Sequence, residues 1–122
     1  MDEPAFLLDA ARVLRYASLV PRGAGYSAVV GGVPVDSSTV RGLAVTESIV
    51  DGSIYLLHCT VDWETVAATS HQSADAAQAF AGEAYVEATQ SWTPYRALTE
   101  DEEREIRTTR EFLRELAADP GL

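Results

Sequence analysis

The tightest constraint on the fold is the dipeptide Asp51-Gly52, set between Ile49-Val50 and Ile54-Tyr55. An Asp-Gly pair between apolar runs supplies the positive φ angles of a two-residue hairpin turn, whose twist matches that of the flanking strands. The stretch Val45 to Ser70, VTESIVDGSIYLLHCTVDWETVAATS, therefore reads as three consecutive antiparallel strands. A two-residue loop pairs Val50 with Ser53, Ile49 with Ile54, Glu47 with Leu56 and Val45 with His58. If Asp62-Trp63 turns the chain in the same way, Val61 faces Glu64, Cys59 faces Val66 and Leu57 faces Ala68. Trp63 is poorly suited to positive φ, and a longer loop would shift these pairings.

Strand alternation sorts the side chains into two sets. Tyr55, Leu57, Cys59, Val61, Val66 and Ala68 share one face with Ala44 and Thr46, which reads as the core face. The other carries Leu43, Val45, Ile49, Ile54 and Leu56, but also Arg41, Glu47, His58, Thr60, Thr65 and Thr69. That mixture suits a groove, a subunit interface or the underside of a terminal helix.

The flanking segments supply the layers that cover the sheet. Residues 4–19 read as a helix opened by Pro4, with Phe6, Leu7, Ala10, Ala11, Val13, Leu14 and Ala17 on a broad apolar face. Tyr26 to Val35 reads as an edge strand bent at Gly31-Gly32, with Pro34 near the edge and a turn at Asp36-Ser37-Ser38. Gly23-Ala24-Gly25 has too few glycines, and no strand before it, for a dinucleotide-binding loop. Ser73 is an N-cap for a helix from Ala74 to about Ala88, with a stripe of Ala77, Phe80, Ala81, Ala84 and Tyr85. Gly82 interrupts that helix at a cost of up to about 1 kcal/mol, unless another backbone needs the space. Gln90 to Tyr95 reads as a short strand stopped by Pro94. Thr99 and Glu102 form a capping box for a last helix reaching about Ala117. Its charges suggest ion pairs Glu100–Arg104, Glu103–Arg107 and Arg107–Glu111. Its apolar seam is Ile106, Leu113, Leu116 and Ala117 with Phe112 at the margin, which fits a solvated helix with one buried edge or a dimer arm. The expected architecture is α+β: an antiparallel β-meander of about four strands with N-terminal, middle and C-terminal helices packed mainly on the Tyr55/Leu57/Cys59 face. A strongly curved sheet around a cavity is the main variant.

At 122 residues the chain fits one domain, residues 1–122. Nineteen Asp and Glu face nine basic residues, all of them Arg, for a net charge of -10. Such a field opposes approach to nucleic-acid backbones and anionic membranes, and favours a basic protein surface or simply solubility. One cysteine excludes an internal disulfide and fits a reducing compartment. No run of roughly 18 apolar residues suggests a membrane span, and no basic-then-apolar N-terminus suggests a signal peptide. A cytoplasmic location is the expectation.

His58 and Cys59 look like a thiolate–imidazole pair, but neighbours on a strand point to opposite faces. His58 and His71 share a face about four positions apart, roughly 13 Å along the strand, too far for one metal ion. With no zinc-type spacing elsewhere, neither metal nor cofactor is expected. Glu47 and His58, diagonal neighbours across the hairpin, are the better candidates for acid/base work, the carboxylate orienting an imidazole of near-neutral pKa. Arg41 would face Asp62 on the same side. Trp63, flanked by Asp62 and Glu64, would be an interface anchor if exposed, or a lid on the core if folded back.

The run Gly52 to Cys59 (GSIYLLHC), followed by Asp62-Trp63-Glu64, Ser73, an alanine-rich helix and Trp92, resembles a pattern in small uncharacterised bacterial acidic proteins. The resemblance spans about residues 52–92. It implies a hairpin, a helix and a strand in that order, and no activity. Two functions follow from the residues. The first is a non-catalytic acidic binding protein, such as an inhibitor, immunity-type protein or accessory subunit, which meets a basic protein through Asp62, Trp63, Glu64 and Arg41. The alternative is a small cofactor-free isomerase, cyclase or hydratase using Glu47 and His58 in a sheet-lined pocket. Self-association as a homodimer is a third expectation.

Overall fold

A computed structural model describes residues 2–21, 27–30, 33–36, 39–85 and 88–118 of the chain. Over these residues the fold is α+β, with an antiparallel curled sheet and two helices. In chain order the elements are β1 (Leu7–Leu8), β2 (Ala11–Pro21), β3 (Ser27–Val30), β4 (Val33–Asp36), β5 (Gly42–Ser48), β6 (Ile54–Cys59), β7 (Thr65–His71), α1 (Ala74–Ala84), β8 (Ala88–Pro94) and α2 (Glu100–Ala118). The main sheet runs β1-β2-β5-β6-β7, and β8 lies beside β2 on the same flank as β1. β3 and β4 form a separate hairpin.

The expected N-terminal helix is absent, and β1 and β2 take its place. Asp9 and Ala10 both adopt positive φ, 51° and 58°, which turns the chain between the paired residues Leu8 and Ala11. Positive φ is costly for alanine, so the sequence carries no visible turn signal here. β2 then contains an irregularity: its register passes from Val13↔Thr46 to Arg15↔Val45, leaving Leu14 as an extra residue. Two residues of β2 thus oppose one of β5, and side chains beyond the bulge change faces relative to those before it. Val13 packs with Ala44 and Leu57, whereas Ala17 and Leu19 pack with Leu43 and Val45 on the other side. The interrupted alternation mimics helical spacing. The sheet therefore gains strands beyond the expected four, and the stretch expected as one strand from Tyr26 to Val35 contains two, β3 and β4. The Gly23-Ala24-Gly25 segment, the Gly31-Gly32 bend and Ser37-Ser38 lie outside the described residues.

The central hairpin forms with a longer loop than Asp-Gly alone predicts. Glu47 pairs with Ile54, Val45 with Leu56 and Leu43 with His58. Ser48 N–H donates to the Ser53 carbonyl at 2.8 Å, Asp51 Oδ1 accepts the Ser53 N–H at 2.9 Å, and Gly52 supplies the positive φ of 76°. The shift is two residues, so the faces are kept while each diagonal neighbour moves. The β6–β7 register matches the expected pairing, Leu57↔Ala68 included, as far as His58. It then breaks, Cys59 pairing with Thr65.

The largest difference lies in which face is covered. Helix α1 packs on the Leu43/Val45/Leu56/His58 side, not on the Tyr55/Leu57/Cys59 side. Ala77, Ala81 and Tyr85 of the helix join Ala17, Leu19, Val40, Leu43, Val45 and Leu56 in the principal core. Small side chains at 77 and 81 bring the helix close, and each fully buried Leu or Val contributes roughly 1.5–3 kcal/mol. The opposite face holds a smaller cluster of Val13, Ala44, Leu57 and Cys59 with Leu8, Tyr16, Tyr55, Trp63 and Tyr95 around it. The N-terminal segment is tied over that cluster: Tyr95 Oη donates to the Pro4 carbonyl at 2.8 Å, and Trp63 Nε1–H to the Asp2 carbonyl at 2.9 Å.

Both expected caps form. Ser73 accepts the Ala76 N–H, and α1 closes at Tyr85, one turn earlier than expected. Thr99 and Glu102 exchange hydrogen bonds of 3.1 and 2.9 Å. Glu102 also takes two bonds from Arg96, which with the Thr99 N–H hold its carboxyl near pKa 2. Along α2 the ion pairs differ from those expected: Arg104 bonds Asp101, and Glu103 meets Arg12 of β2. α2 buries Ile106 and fixes Arg110 Nε to the Ile49 carbonyl at 2.7 Å. Among the described residues no helix is long and apolar enough to cross a membrane.

Candidate functional site

The two residues proposed for acid/base work are not brought together. Glu47 lies opposite Ile54 and His58 opposite Leu43, so they stand about four strand positions apart, roughly 13 Å. Glu47 is exposed, whereas His58 is fully buried.

His58 instead belongs to a polar chain beneath α1. Its Nδ1 lies 2.7 Å from Tyr85 Oη, and its Nε2 lies 3.5 Å from Thr69 Oγ1. Thr69 Oγ1 in turn lies 2.8 Å from Nε2 of His71, which is half-buried against the Phe80 ring. Either tautomer of His58 satisfies the chain: Tyr85 O–H donates to Nδ1 while Nε2–H points to Thr69, or Nδ1–H donates to Tyr85 while Nε2 accepts from Thr69, with the Thr69–His71 bond running in the matching direction. Burial pushes the His58 pKa down to about 4, with proximity to His71 acting in the same direction. Burial also lowers His71. A neutral, fully buried imidazole held at both nitrogens is a structural polar group in a core; it offers no face to a substrate. The sequence places His58, Thr69 and His71 on one strand face, but Tyr85 reaches them only because α1 covers that face. Tyr85 at the end of an alanine stripe is the one signal that could have suggested it.

Cys59 is buried in the smaller cluster, and burial raises its thiol to about 12, which removes thiolate chemistry at ordinary pH. Among the described residues no three His, Cys, Asp or Glu side chains gather to hold a metal ion.

The Asp62-Trp63-Glu64 turn divides. Trp63 takes a positive φ of 62°, and its indole is half-buried, edge-on to Tyr16 with ring centres 6.0 Å apart. Thr60 Oγ1 accepts the backbone N–H groups of Asp62 and Glu64, and both carboxylates stay exposed. Arg41, half-buried, donates to the Val40 carbonyl. The aromatic of this turn therefore closes the smaller core, while its acids face outward.

Two further surfaces carry recognisable chemistry. Between α1 and β8 runs an open groove of about 510 Å³, lined by Arg15, Asp75, Gln78, Gly82, Gln90 and Trp92. Its cation is already paired: Arg15 Nη1 lies 3.1 Å from Asp75 and 2.9 Å from Gln78. Gln90 donates to the Ala81 carbonyl and accepts from Trp92 Nε1. The second surface is the distal half of α2. Phe112 is 58% exposed and Leu116 49%, one helical turn apart, with Glu111 and Glu115 exposed beside them.

No protein-family model matches the chain, and no match was found among curated proteins or solved structures.

Proposed function

We propose that this chain is a non-catalytic acidic binding module, of the inhibitor, immunity-type or accessory-subunit kind, that docks on a basic protein surface. The observation that carries this reading is the distal half of α2. A phenylalanine–leucine pair exposed at helical i, i+4 spacing belongs to neither apolar cluster of the described residues, and the carboxylates of Glu111 and Glu115 stand beside it. Such a face fits an apolar groove with a basic rim, the aromatic supplying contact energy and the acids steering the encounter. The net charge of -10 adds long-range attraction to the same class of partner. Asp62 and Glu64 are proposed as a second acidic contact.

A photoreactive residue placed at position 112, with position 83 on the exposed side of α1 as the control, tests the reading in the cell of origin. Position 112 should yield a discrete adduct with a protein bearing a basic surface. The purified complex should weaken as salt rises, and again on Phe112→Ala or the pair Glu111→Gln and Glu115→Gln. A complex indifferent to salt, to these changes and to Asp62→Asn and Glu64→Gln would refute it, as would equal labelling from both positions.

A further inference from the structure

A different part of the molecule, the free edge of the main sheet, points to a second copy of this chain as a partner. β7 ends the sheet path, and among the described residues its only hydrogen-bonded neighbour strand is β6. An open edge is a row of unpaired N–H and C=O groups, and proteins ordinarily blunt it with a charge, a proline or a very short strand. β7 is seven residues long, TVAATSH, with no charged residue and no proline. The other flank is managed differently: it is shared between the two-residue β1 and β8, which ends on Pro94. In a chain where nearly one residue in four is charged, a seven-residue uncharged edge stands out. The irregular pairing of this strand is confined to its Thr65 end, so Ala67 to His71 presents a regular ladder.

We infer that β7 pairs antiparallel with β7 of a second copy about a two-fold axis at Ala68, joining two sheets into one. An antiparallel edge can be its own complement, and a two-fold contact uses the same patch on both chains. Full overlap of the seven residues places Ala68 opposite Ala68, Val66 opposite Ser70 and Thr65 opposite His71. Residues 66, 68 and 70 are the exposed set of the strand, so the pairing joins like faces. Charge weighs against one of the two slips. With Ala68 on the axis, Glu64 falls opposite Gln72, whereas sliding the axis toward the start of the strand brings the two Glu64 carboxylates together, which disfavours the slip. The covered face under α1 and the acidic half of α2 take no part. Two bodies of charge -10 repel, so this dimer tightens as salt screens them, opposite to the salt response of a complex with a basic partner.

Sedimentation velocity of the full chain at rising concentration tests the inference, first in low and then in high salt. A monomer–dimer equilibrium shifted toward dimer by salt is expected, and Ala68→Glu, on an exposed position, should return the protein to monomer with an unchanged far-ultraviolet spectrum. The register is read by oxidation of single-cysteine additions, since Cys59 is buried. Ala68→Cys should cross-link to itself, and Val66→Cys should cross-link to Ser70→Cys in a mixture more readily than either does alone. A protein that stays monomeric in both salts overturns the inference. A dimer that survives Ala68→Glu, or that cross-links without this pattern, overturns it as well. None of these results bears on photo-cross-linking from position 112, so the two proposals fail separately.

Discussion

The two helices are both well capped, yet they differ in almost every other respect. α1 has eleven residues, and its Ala77, Ala81 and Tyr85 are sealed against the sheet. α2 has nineteen, and only Ile106 is buried. Caps and propensity thus determine where a helix forms, while the apolar stripe determines whether the fold depends on it. α1 is part of the core. α2 is held at its first half by Ile106, by Arg110 on the Ile49 carbonyl and by the Arg12–Glu103 pair, and beyond that it presents a surface.

The sharpest way to break this contrast is to truncate one aromatic in each helix region. Tyr85 is 1% exposed and Phe112 58%. Tyr85→Ala should cost about 3–5 kcal/mol, the range for large-to-small changes in a packed core. It also leaves His58 Nδ1 without the phenol 2.7 Å away. Phe112→Ala should stay within about 0.5 kcal/mol, as for exposed sites. Urea unfolding followed by tryptophan fluorescence measures both. Similar midpoints for the two variants would mean that α2 is packed as deeply as α1.

Acid provides the next largest effect, and it acts through His58 of β6, buried beneath α1. The His58 pKa falls from its ordinary 6.5 to about 4 on folding, because burial disfavours the imidazolium. Between those values the unfolded chain binds the extra proton, so stability rises with pH there. Stability from this residue is complete above pH 6.5, is lost as the pH falls toward 4, and amounts to about 3 kcal/mol at roughly 1.4 kcal/mol per pH unit. Glu102 at the start of α2 titrates near 2, lower in pH, so its loss follows rather than accompanies that of His58. Thermal midpoints from pH 8 to 3.5 check the window, and His58→Gln should flatten the curve between 6.5 and 4. A slope unchanged in that variant would assign the acid sensitivity elsewhere.

How much of this was legible in the sequence depended on whether local signals agreed with the tertiary solution. Ser73 and the Thr99/Glu102 box located both helix starts because a cap is satisfied by residues two or three positions away. The β6–β7 register could be read up to His58 by turning the chain at Asp62-Trp63. The β5–β6 loop could not, because Ser48, Asp51 and Ser53 bond into a longer turn around Gly52 that the Asp-Gly pair does not announce by itself. The first twenty residues were read with the wrong period. Ala10 at positive φ in the β1–β2 turn and the extra Leu14 in β2 against β5 are strained or irregular features that no local preference encodes. At the candidate site, strand parity correctly separated His58 from Cys59, but covering the Leu43/His58 face with α1 was a tertiary choice. A face carrying two histidines and several threonines looks wet until Tyr85 satisfies the buried imidazole of His58.

The smallest expected effect sharpens the comparison further. Gly82 sits in the interior of α1 on its exposed side, and a β-carbon built there meets no atom within 4 Å. The glycine therefore serves no close approach, and Gly82→Ala should stabilise the protein by roughly 0.5–1 kcal/mol through the helix preference of alanine. The reverse change near the end of α2, Ala117→Gly, alters the same preference at an exposed position. Because the distal turns of α2 are tied to nothing buried, they can open without the core, and a change there raises local fraying instead of global unfolding. Gly82→Ala should raise the global midpoint, while Ala117→Gly should leave it in place and speed amide exchange only in the last turns of α2. Equal and opposite shifts in the midpoint would show that the end of α2 unfolds with the core, and would remove the distinction on which its role as a docking surface rests.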